Sequence, residues 1–125
     1  MTENELSKII VDIVFKIHTK LGPGLFESVY EEILFYELVK SGLEVVRQKQ
    51  IPVVWNDIQI EQGFRADLII ENKIIIEIKS VELILPVHQT QLLTYLKLTG
   101  MKLGLLINFN VKLIKDGILR IVNKL

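Results

Sequence analysis

Residues 64–79 read FRADLIIENKIIIEIK, and this stretch constrains the fold more than any other. Two apolar runs flank Glu71-Asn72-Lys73, a three-residue turn signal, so the pattern predicts a hairpin with strands over 64–70 and 74–79. Yet Asp67, Glu77 and Lys79 stand inside the runs, not at the turn. A three-residue turn sets Ile70 against Ile74, and therefore Asp67 against Glu77. Alternation then places Ala66, Leu68 and Ile70 on one face with Ile74, Ile76 and Ile78. Arg65, Asp67, Ile69, Ile75, Glu77 and Lys79 share the other face, which collects every charge within the strands. A one-residue slip would put Asp67 on the face opposite Glu77.

Directly opposed residues have Cβ atoms about 4.5–5.5 Å apart. Two carboxylates that close repel, and one tends to hold a proton unless a cation intervenes. A hard divalent cation, Mg²⁺ or Mn²⁺, resolves the conflict. Such ions take oxygen ligands, often one or two carboxylates with water and phosphate completing the shell. Lys79, two residues beyond Glu77, points the same way and suits a role on a metal-bound water or on developing phosphate charge. The plainer reading is the solvent face of an amphipathic hairpin, and periodicity alone favours it.

The rest of the chain supplies the setting. Apolar residues at Leu6, Ile9, Ile10, Ile13, Val14 and Ile17 predict a helix over 6–20, stopped by Leu21-Gly22-Pro23-Gly24. A second helix is predicted over 26–41. Residues 44–55 read as a strand, followed by an Asn56-Asp57 turn and a short strand over 58–61, separate from 64–70 or continuous with it through Gly63. Pro86 opens a third helix that ends at Gly100. A strand over 102–109 and a hairpin of 111–115 with 118–122 close the chain. The order ααβββαβββ implies one α/β domain over residues 1–125, a central mixed sheet flanked by helices.

Hydrophobic residues make up 50% of the chain, but no run reaches the ~18 residues of a membrane span. A sheet buried on both faces accounts for the excess. The opening MTENELSK is polar and acidic, unlike a signal peptide. Cysteine is absent, which excludes disulfides and thiolate chemistry and fits a reducing cytoplasm. The formal net charge of zero argues against non-specific coating of nucleic acid. Residues 1–82 carry 9 basic and 14 acidic side chains, and residues 83–125 carry 6 and 1. That asymmetry points weakly to a polyanion partner.

Asp67, then Glu77-Ile78-Lys79 ten residues on, resembles the PD-(D/E)XK nuclease superfamily. Gly24-Leu25-Phe26-Glu27-Ser28-Val29-Tyr30 matches the signature of the GxxExxY protein family assigned to that superfamily. Leu21 to Gly24, Gly63 to Asp67, Glu77 to Val81, His88 to Lys97 and Gly104 to Asn110 also fit, so the resemblance covers roughly residues 6–123. It implies a restriction-endonuclease-like core. It also implies a metal site on Asp67 and Glu77, with Lys79 as base or water-orienting residue. Gln91 and Tyr95 resemble the Gln-x-x-x-Tyr motif of RecB-like nucleases, and Glu27 would stand near the metal. Ala66 replaces the motif's proline. The implied activity is hydrolysis of phosphodiester bonds in nucleic acid, DNA first.

Four further residues are candidates for substrate contact. Arg65 suits a phosphate clamp, and Gln48 lies on the preceding strand at the site's edge. His88, Gln91 and Tyr95 form one helical stripe, which without the resemblance reads as an ordinary polar flank. Tyr30 reads equally as site residue or core aromatic. The alternative function is a nuclease-fold module that binds nucleic acid or protein without turnover, with a homodimer as one arrangement.

Overall fold

A computed structural model describes residues 1–125. Helix α1 (Glu3–Leu21) begins at Thr2, whose hydroxyl accepts from the Glu5 amide at 3.2 Å while Glu5 accepts from the Thr2 amide at 3.0 Å. It ends at Gly22, φ 71°, a left-handed value that glycine adopts at low cost. Then come α2 (Glu27–Lys40), β1 (Val45–Trp55), β2 (Ile58–Ile70), β3 (Ile74–Lys79), α3 (Pro86–Thr99), β4 (Leu103–Asn108) and β5 (Ile118–Val122). The sheet order is β1-β2-β3-β4-β5. Only β3 and β4 run parallel, joined by α3 as crossover, and the other pairs are antiparallel. The expected α/β architecture, a mixed sheet with helices on it, is present.

Apolar side chains cover both faces of the sheet, as β3 and β4 require. Leu6, Ile10 and Val14 of α1 and Tyr30, Leu34 and Leu38 of α2 pack on Leu68, Ile70, Ile74, Ile76 and Ile78. On the other face, Leu92 and Leu96 of α3 meet Ile69, Ile75 and Leu106. Gly104 lets α3 sit this close, because a Cβ there would lie 2.9 Å from Leu92 Cγ. Leu92 is itself buried. Gly104→Val should therefore lower stability by about 1–3 kcal/mol through overpacking, read as a shifted urea midpoint with unchanged slope.

Two expectations change, and the open choice over 58–61 resolves to one continuous strand. The segment 111–115 is not a strand: β5 pairs directly with β4, and the chain between them forms a bend and a single 3₁₀ turn over Ile114–Asp116. The 58–61 strand is the first part of β2. The alternation across β2 also breaks at Asp67. Leu68 and Ile70 face α1 and α2, while Phe64 and Ala66, of the same parity, pack on the α3 side. Gln48, between the Arg47–Leu68 and Lys49–Ala66 pairs, has φ 49° in the left-handed region. The two strands coil there together. Beyond that point β1 and β2 continue as a two-stranded ribbon, since β3 pairs only with Leu68, Ile69 and Ile70. Trp55 stands exposed at its tip.

Candidate active site

The predicted turn holds: Ile70 pairs with Ile74, Ile69 with Ile75 and Leu68 with Ile76. The next pair would be Asp67 with Glu77, but the ladder stops one step short. The Asp67 carboxylate takes the place of the missing backbone partner. Its Oδ2 accepts from the Ile78 amide at 2.8 Å. Its Oδ1 accepts from Gln48 Nε2 at 3.3 Å. Asp67 is thus fixed in the gap where β2 leaves β3, beside the carboxyl ends of the parallel pair. In open α/β sheets that end is where ligands bind.

Glu77 and Lys79 lie at the end of β3, opposite Leu106 and Asn108 of β4. Glu77 Oε1 is buried and has no hydrogen-bond partner. A buried carboxylate oxygen without a partner costs several kcal/mol if ionised, so it is either protonated or coordinated. Burial pushes the Glu77 carboxyl up to about 9, and the charge on Asp67 acts in the same direction, with Lys79 opposing both. The clash of carboxylates is thus relieved by a proton on Glu77 when no cation is present.

Tyr95 reaches the same place from α3. Its ring stacks on Phe64 with centroids 3.8 Å apart. Burial and the charges of Glu77 and Asp67 hold its hydroxyl above the ordinary phenol value, so it stays a donor. Gln91 lies one helical turn earlier on α3 and is exposed. His88 contributes to the helix start: its Nδ1 accepts from the Leu85 amide at 3.0 Å. Glu27, in the first turn of α2, accepts from the Ser80 amide at 3.2 Å through Oε2. That ties α2 to the residue that follows Lys79. Arg65 is exposed and forms no ion pair, but it leaves the ribbon on the side opposite Phe64 and Ala66, so it does not follow the facing predicted for it.

Tyr30 is the clearest correction. It is fully buried, stacked on Phe109 at 4.3 Å, and its hydroxyl donates to Gly22 O at 2.6 Å and accepts from Leu25 N at 3.2 Å. It has no free group for a substrate, and it holds the loop before α2 in place. Gln48, expected only at the edge, is central, since its amide donates to both Glu31 and Asp67.

Glu31 is the residue that sequence reasoning missed. It is 7% exposed. One oxygen receives Arg47 Nε at 3.2 Å and Nη2 at 3.0 Å, and the other receives Gln48. The spacing of four from Glu27 was the available signal, because it puts both carboxylates on one helix face. Glu31→Ala would leave Arg47 with only the longer Glu32 pair, at 3.8 Å, and Gln48 with only its bond to Asp67, no longer held from the α2 side. The expected outcome is a loss of about 1.5–3 kcal/mol, measured by urea denaturation. Its effect on metal affinity should be about tenfold or more, since groups that orient ligands matter on that scale.

The donor set suits a hard cation: carboxylate oxygens only, one of them buried without a partner. No three or more His, Cys, Asp or Glu side chains converge anywhere in the chain. Two carboxylates would leave water and phosphate oxygens to complete the shell. A cavity of about 530 Å³ lies elsewhere, between α2 and β1, and includes none of the candidate residues. No helix is long and apolar enough to cross a membrane.

A model of the PD-(D/E)XK nuclease superfamily matches residues 4–121. No curated protein and no solved structure matches the chain.

Proposed function

Because the chain belongs to the PD-(D/E)XK nuclease superfamily, whose restriction-endonuclease-like fold its sheet and helices fit, we propose that it is a divalent-metal-dependent hydrolase of phosphodiester bonds, with DNA as the first substrate class. Members usually use divalent metals, and membership implies contact with nucleic acid. The observation that carries the reading is the buried, unpartnered Glu77 Oε1 beside Asp67 at the end of β3. The Gly24 to Tyr30 motif supports the narrower GxxExxY assignment.

Asp67 and Glu77 would hold Mg²⁺ or Mn²⁺, which when bound supplies Lewis-acid polarisation of the phosphate and a more acidic water. The chain's own groups do the rest. Glu77 would give up its proton to solvent on serving as a ligand. Asp67 needs no reorganisation, since Ile78 and Gln48 already aim it. Lys79 orients the attacking water and faces the negative charge that develops on phosphorus. The water oxygen forms the new P–O bond and gives up a proton to solvent, the bond to the departing sugar oxygen breaks, and that oxygen takes a proton from solvent. The Tyr95 hydroxyl, kept protonated, donates to a non-bridging oxygen, with Gln91 one turn away on the same helix. Glu27 holds the Lys79–Ser80 segment against α2.

The test is cleavage of circular and linear duplex DNA, single-stranded DNA and RNA with Mg²⁺ or Mn²⁺, against chelator and against Lys79→Ala. Cleavage that needs the metal and disappears in the variant supports the reading. Cleavage untouched by chelator or by loss of Lys79 would assign the activity elsewhere.

A further inference from the structure

Resting on the nuclease reading, we propose that Phe26 and the depression beside it bind an unpaired nucleobase next to the scissile phosphate. Phe26 is 81% exposed, the most exposed large apolar side chain in the protein. An isolated exposed apolar residue is ordinary. What separates Phe26 from that case is its support. The loop before it is pinned from two sides. The Tyr30 hydroxyl bonds Gly22 O and Leu25 N. The Ser80 hydroxyl donates to Leu25 O at 2.6 Å, and the Ser80 amide to Glu27 at 3.2 Å. Gly24, φ 102°, turns the chain between these anchors. The backbone is therefore fixed while the ring is left in water.

The ring borders an open depression of about 390 Å³, lined by Leu25, Phe26, Glu27, Ser28 and Ser80. That volume is within the range of small-molecule sites. Its walls are apolar at Leu25 and Phe26 and polar at Ser28 and Ser80, matching a planar base with hydrogen-bonding edges. Its position names the occupant. Ser80 directly follows Lys79, and Glu27 bonds it, so the depression adjoins the end of β3 that carries Lys79. Stacking on an aromatic ring is open to every base and requires that base to be unpaired. The site therefore favours single strands, frayed ends or flipped nucleotides over intact duplex.

The experiment uses the full chain and a single-stranded DNA oligonucleotide carrying 2-aminopurine, with chelator present to prevent turnover. Binding should quench the fluorophore. Phe26→Ala should weaken binding about tenfold, the scale of one lost stack, and abolish the quench, while Phe26→Trp restores both. Phe26 makes no side-chain capping bond to α2, so an unchanged thermal midpoint checks that the variant is folded. Wild-type affinity and quenching in Phe26→Ala, or no oligonucleotide binding by the wild type, would overturn the base site. Metal-dependent cleavage unaffected by Phe26→Ala would leave the nuclease reading standing alone. Phe26-dependent binding without cleavage under any metal would do the reverse.

Discussion

Alanine at Asp67, Glu77 or Lys79 is expected to reduce metal-dependent cleavage about 10³-fold or more. The three act as one unit, so the losses should not add, and the double variant Asp67→Ala with Glu77→Ala should be no worse than the weaker single. The causes differ. Without Asp67, the Ile78 amide loses its acceptor and Gln48 its second partner. Without Glu77, the buried donor to the cation is gone. Without Lys79, ligand oxygens remain but water loses its guide. Metal affinity should therefore collapse in the two carboxylate variants and stay within a few-fold of wild type in Lys79→Ala. Steady-state cleavage assays beside metal titrations separate the roles. Equal loss of metal binding in all three would contradict the division of labour.

The second large effect is on stability, and it runs against function. The Glu77 carboxyl is raised from 4.5 to about 9 in the folded chain. Between those values the folded state holds a proton that the unfolded state has released. Folding is then favoured at low pH, and the contribution is lost as pH rises toward 9, with a slope approaching about 1.4 kcal/mol per unit. Glu77→Gln keeps the shape and cannot ionise. In chelator it should match wild type near pH 5 and exceed it by on the order of 3 kcal/mol near pH 8, by urea denaturation. Divalent cation added at pH 8 should stabilise wild type and leave the variant unchanged, since only wild type binds it tightly. Parallel pH profiles for the two proteins would mean that Glu77 is not held protonated. A site residue that costs stability when its ligand is absent is the usual bargain of a functional group.

Much of this arrangement is legible in residues 64–79, because strand alternation and a three-residue turn leave little freedom. The turn and the pairs nearest it are as predicted. What alternation does not foresee is the coil at Gln48 and Asp67, which moves Ala66 to the α3 side and turns Arg65 away. A left-handed glutamine carries no pattern in sequence. Glu31 was hidden for another reason. It is one of several glutamates on α2, and its spacing of four from Glu27 marks it out less than the arrival of Arg47 and Gln48 from β1. Tyr30 sits in a motif position, but its hydroxyl is taken by backbone groups of Gly22 and Leu25, and His88 spends its Nδ1 on the Leu85 amide at the start of α3. The segment 111–115 has strand-like residues. The Asn108 side chain, bonded to Val81 and Asn110, bends the chain just before it, and β4 then takes β5 as its partner.

The most direct measurement is a calorimetric Mn²⁺ titration at pH 7, repeated in buffers of different ionisation enthalpy. A metal that displaces the proton on Glu77 must send that proton to the buffer. The expected result is one ion per chain with close to one proton released, both absent in Glu77→Gln. Saturable binding with no proton release, or with release retained in Glu77→Gln, would contradict the account of Asp67 and Glu77 as the metal site.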